Sequence, residues 1–69
     1  MVEVFRTNIT KRAQSKILAK KLLAHYPESD VNIDLDDCDN VLRVEGNNIC
    51  PHKIIELVTL DGYDCEVLP

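Results

Sequence analysis

Two groups of residues in this chain carry side chains with chemical potential. The first is the run D-L-D-D-C-D-N at residues 34–40, with four aspartates and one cysteine in seven positions. Carboxylates hold hard cations and thiolates hold soft ones, so the run contains donors of both kinds. Its spacing is not that of an EF-hand, which needs D-x-[DN]-x-[DN]-G and a later glutamate. A single thiol with no histidine nearby does not make a Zn or Cu site. Aspartate and asparagine are also what a tight turn between strands requires. The turn is the preferred reading, with its acidity left for a partner or a loosely held hard cation. The second group is Cys50, His52 and His25. Cys-x-His with a second histidine is a three-ligand set for a soft metal, and a thiol at a helix start lies at the positive end of the helix dipole. In the simpler reading Cys50 only caps a helix and both histidines face solvent. No metal site is expected, and Cys50, His52 and His25 form the alternative.

Catalytic constellations are absent from the pattern. No Ser-His-Asp arrangement is apparent, and the Cys50/His52 pair is aimed apart by its i, i+2 relation around a helix start. The chain is expected to be neither an enzyme nor a cofactor binder.

The elements that position these residues form one small domain, residues 1–69. A chain of this length buries about 60% of its unfolded surface, too little for a large catalytic cleft. No apolar run approaches the ~18 residues of a membrane span. The start, M-V-E-V-F-R-T-N-I-T, lacks the basic and apolar regions of a secretory signal. Three cysteines, an odd number without close pairing, fit a reducing compartment. A cytoplasmic monomer without membrane contact is expected. The net charge of −4 hides an asymmetry. Residues 1–25 carry six basic groups against Glu3, whereas residues 26–69 carry Arg43 and Lys53 against eleven acids. A basic element on an acidic body bears on association and orientation.

Residues 2–7, V-E-V-F-R-T, alternate and are β-branched, which predicts a strand. Thr10 is the predicted N-cap of a helix over 11–26, with Ser15, Leu18, Ala19, Leu22 and Tyr26 on its buried face and Leu23 widening it. Pro27 stops this helix. Residues 30–35 and 41–46 alternate around D-D-C-D-N and predict a hairpin, with Val31, Ile33, Leu35, Leu42 and Val44 inward. Pro51 predicts a helix start with Cys50 as N-cap, and Ile54 and Val58 centre its buried stripe, flanked by Ile55 and Leu57. Gly62 ends it. Residues 63–68, Y-D-C-E-V-L, predict the last strand, with Tyr63, Cys65 and Val67 on one side; Cys65 reads as a small buried apolar residue. The order is β-α-β-β-α-β. This is an α+β, ferredoxin-like arrangement with both helices on one face of a four-stranded antiparallel sheet.

That order, the closing L-D-G-Y-D-C-E-V and the buried positions Ser15, Leu18 and Leu22 resemble the heavy-metal-associated domain of copper chaperones and P-type metal ATPases. Gly62 and Tyr63 match the family's Gly-Tyr or Gly-Phe pair, and V-N-I-D-L with V-L-R-V matches its central hairpin. The family holds Cu(I) in an M-x-C-x-x-C loop between the first strand and first helix. Aligning helix faces puts Ile9 at the methionine, with Lys11 and Gln14 at the cysteines; a one-residue shift puts Asn8, Thr10 and Ala13 there. Neither register supplies a thiol, so the family's ligands do not carry over, and a lysine ammonium has no lone pair to offer. The βαββαβ topology gathers this connection, the 36–40 hairpin and the 61–63 turn at one pole.

RNA-binding domains with the same strand order need aromatics on the open sheet. This chain has only Phe5, Tyr26 and Tyr63, and its acidic body disfavours nucleic acid. The outward side of the first helix is more informative. Lys16 and Lys20 lie there with Lys21 at one edge, around Ile17, with Ala13 and Ala24 also off the core face. An apolar centre with a charged rim is the pattern of a small docking patch. The resemblance to copper chaperones, which meet acidic domains through basic residues near this helix, points the same way. An acidic protein surface is the expected partner. The functional expectation is a non-enzymatic interaction or regulatory module of heavy-metal-associated type without its metal loop; the alternative is a soft-metal carrier with displaced ligands.

Overall fold

The computed structural model describes residues 1–36 and 40–68. Asp37, Cys38 and Asp39, the centre of the predicted hairpin turn, lie outside the described residues. Six elements follow in order: β1 (Val2–Thr7), α1 (Arg12–His25), β2 (Asp30–Asp34), β3 (Val41–Glu45), α2 (Pro51–Leu60) and β4 (Cys65–Val67). The strands form one antiparallel sheet ordered β2-β3-β1-β4. This is the ferredoxin-like βαββαβ fold, with α1 packed against β2 and α2 against β4.

Alternation along the strands builds the covered face of the sheet. Phe5 pairs with Leu42, which pairs with Ile33, and Val44 pairs with Val31. Helical spacing brings Ser15, Leu18 and Leu22 of α1, and Ile54 and Val58 of α2, down onto that face. Phe5, Ile9, Leu18, Leu22, Leu42, Val44, Ile54 and Val58 are fully buried, and Ile49 nearly so. Tyr26, Val31, Ile33, Leu35, Ile55, Leu57, Tyr63 and Cys65 pack around them half-buried.

Several boundaries differ from expectation for local reasons. The N-cap is Lys11, whose extended backbone turns the chain into α1, rather than Thr10. Its carbonyl accepts from the Ser15 N–H at 3.1 Å, and its N–H donates to Gln14 Oε1 at 3.4 Å. The helix ends at His25, with Tyr26 as C-cap. Leu23 does not widen the buried face; it is exposed, one residue and about 100° of helix beyond the buried Leu22. β4 begins at Cys65, not Tyr63, because Asp64 donates its N–H to Asn8 Oδ1 at 2.9 Å instead of entering the ladder. Val67 shares the covered face with Cys65 but is exposed at the sheet's other end strand. Gly62 has φ +93°, the left-handed conformation that ends α2 without a steric penalty. A Cβ there would meet nothing within 4 Å, so backbone conformation rather than space requires glycine.

Candidate functional site

The connection between β1 and α1 is tied down from several sides. Thr7, itself buried, donates its hydroxyl to the Asn40 carbonyl at 2.7 Å and accepts from the Ile9 N–H at 3.3 Å. Asn8 is linked to Asp64 through both its amide oxygen and its amide nitrogen. Between these anchors Ile9 inserts fully into the core. Of the two registers considered from sequence, one places this inward Ile9 at the methionine of the M-x-C-x-x-C loop. In that register the cysteine positions fall on Lys11 and Gln14, the cap and third residue of α1. A soft cation needs convergent thiolates or imidazoles. An ammonium and an amide engaged in a helix cap do not fit such an ion.

The thiols and imidazoles among the described residues are those of Cys50, Cys65, His25 and His52. Cys50 caps α2 through its backbone, with Lys53 and Ile54 N–H donating to its carbonyl, and makes no side-chain cap bond. Cys50, His52 and His25 are all exposed. Among the described residues no three His, Cys, Asp or Glu side chains gather in a metal-holding group. Cys65 is half-buried beside the core, and burial raises its thiol to about 11, so it is neutral near pH 7.

On the outward side of α1 the sequence-predicted docking residues are presented together. Ile17 is 56% exposed, with Lys16 and Lys20 exposed beside it. Lys21 differs from them. Its Nζ lies 2.6 Å from Asp61 Oδ1, at the C-cap of α2, and so binds the two helices to each other. Asp61 is the more buried partner, its side chain 17% exposed. Among the described residues, the ion pairs are Arg6–Glu66, Lys21–Asp61 and the looser Lys53–Glu56 at 3.9 Å. Lys16 and Lys20 have no acidic partner there.

One apolar residue of this region escaped the sequence reading. Leu60, next to Asp61, is 75% exposed, the most exposed large apolar side chain described. The signal was present in the helical period: two residues beyond Val58, Leu60 turns about 200° away from the buried stripe. Among the described residues no helix is long and apolar enough to cross a membrane.

No protein-family model matches the chain, and no curated protein matches it. Among solved structures it is similar to a yeast copper transporter domain determined in solution in its apo and Cu(I)-loaded states. The TM-score is 0.83 at 23% sequence identity, over 99% of this chain and 94% of that one. At this identity the likeness establishes architecture, and the chain has the ferredoxin-like, heavy-metal-associated type of fold.

Proposed function

We propose that residues 1–69 act as a non-enzymatic protein-interaction module of heavy-metal-associated type, working as a cytoplasmic monomer, whose first helix docks on an acidic protein surface. The observation that carries this reading is Ile17, 56% exposed on α1 among Lys16 and Lys20, in a segment that holds six of the chain's eight basic residues. A desolvated apolar centre with a charged rim supplies affinity at the middle and orientation at the edge. The β1–α1 connection supports the same reading from the other side. Its side chains are spent on the core and on the helix cap, where the family has thiolates. The Cu(I) carried by the yeast domain is accordingly not assigned to this chain, and its role is regulatory or adaptor-like.

The test is affinity capture from the source cell, comparing the wild-type domain with Lys16→Glu/Lys20→Glu. The wild type retains an acidic partner that the double variant releases. Equal capture by both removes α1 from the interaction.

A further inference from the structure

We infer that the docking surface spans both helices and receives an amphipathic, acid-rimmed helix of the partner, an inference that rests on the α1 docking proposed above. Two exposed apolar side chains mark it: Ile17 on α1 and Leu60 on α2. The Lys21–Asp61 pair places them near each other. Ile17 is one helical turn from Lys21, on the same side of α1, and Leu60 adjoins Asp61. Because Lys21 and Asp61 neutralise each other, the seam between the helices carries no net charge from that pair. Lys16 and Lys20, which have no acidic partner among the described residues, lie at its outer rim. The surface thus has apolar anchors from two elements and positive charge along one side.

The occupant follows from the two exposed anchors and the charge beside them. A seam between two helices with an anchor on each side receives a helix laid along it, with apolar residues at i, i+3, i+7 spacing. The domain measures 27 × 25 × 19 Å, so a helix of about 16 residues, roughly 24 Å long, spans this face. A second copy of this chain is disfavoured. Two-fold pairing brings the patch onto another copy of itself, where the acids beside Leu60, Asp61 and Glu56, are already engaged with Lys21 and Lys53 and leave Lys16 and Lys20 without a free carboxylate. Nucleic acid is disfavoured by the eleven acids of residues 26–69. Carboxylates on the partner helix satisfy the rim.

The experiment is an amide chemical-shift titration of the ¹⁵N-labelled domain. The probe is a synthetic peptide of about 16 residues with leucines at i, i+3, i+7 and glutamates on the remaining face. A peptide of the same composition in scrambled order is the control. The expected result is shifts in both Ile17–Lys21 and Leu57–Asp61 with the amphipathic peptide, and weaker ones with the control. Leu60→Asp, whose folding the amide spectrum itself reports, lowers the affinity at least about tenfold. Shifts confined to α1, or unchanged affinity in Leu60→Asp, overturn the two-helix surface while leaving α1 docking intact. Shifts confined to the sheet overturn both. No shift at the highest soluble peptide concentration overturns the helical occupant, and the capture experiment then judges α1 docking separately.

Discussion

Replacing Ile9 with alanine tests whether the β1–α1 connection is part of the core. Connections are ordinarily exposed, and substitutions in them change stability by less than ~0.5 kcal/mol. Ile9 is instead fully buried, with its N–H held by Thr7 Oγ1. The substitution removes three carbons worth about 0.8 kcal/mol each in transfer, roughly 2.4 kcal/mol, before any cavity term is added. A loss of about 2.5–4 kcal/mol is expected. Domains of this length hold roughly 3–10 kcal/mol in total, so the variant approaches the limit of folding. Urea unfolding followed by circular dichroism reads the loss. With a slope near ~1 kcal/mol/M, the midpoint falls by about 2–4 M. Ile9→Met, close in volume, keeps the loss under ~1.5 kcal/mol, and Thr10→Ala, on an exposed neighbour, stays within ~0.5 kcal/mol. A loss below ~0.5 kcal/mol in Ile9→Ala refutes the reasoning, because the connection is then free of the core.

Three further outcomes follow from the same structure. Leu18→Ala, in the buried stripe of α1, costs about 2–5 kcal/mol in the same assay, whereas Ile17→Ala next to it costs less than ~0.5 kcal/mol; the reverse order inverts the helix face. Lys11→Cys/Gln14→Cys sets two thiols at the cap and third residue of α1, and the reduced variant competes for Cu(I) with a chelator more strongly than wild type; no gain rejects the Ile9 register. The Cys65 thiol is raised from 9.0 to about 11 in the folded state, so its contribution to stability is whole below pH 9 and is lost as pH rises toward 11. The decline should disappear in Cys65→Ala, and its persistence there assigns it to other groups.

All six elements were legible in the sequence because each carries a local period or stop. Leu18 and Leu22 fall four residues apart, Val31 and Ile33 alternate, and Pro51 and Gly62 bracket α2. The burial of Ile9 was not legible, since a single apolar residue between Asn8 and Thr10 has no periodic companions. Ile49, buried between Asn48 and Cys50, was hidden for the same reason. The start of β4 depends on Asp64 bonding to Asn8, 56 residues away, and the tie between helices depends on Lys21 finding Asp61, 40 residues away. Neither pairing has a local trace. Of the proposed docking surface, Lys16, Ile17 and Lys20 were visible from helical spacing, whereas the commitment of Lys21 to Asp61 required the tertiary fold. Leu23 was misjudged because how wide a stripe of α1 is covered depends on the packed neighbours, and the helical period alone does not fix it.

The central claim is that a basic, apolar-centred face of α1 binds an acidic protein surface. Its most direct test is an equilibrium binding curve for the captured partner at low and high salt, with wild type and Lys16→Glu/Lys20→Glu side by side. Exposed ion pairs contribute up to ~1 kcal/mol each, so losing two of them weakens binding about 5–30-fold at low salt. That difference is expected, together with a wild-type affinity that falls with salt and a variant affinity that barely responds. Identical affinities and identical salt slopes for the two proteins would contradict it.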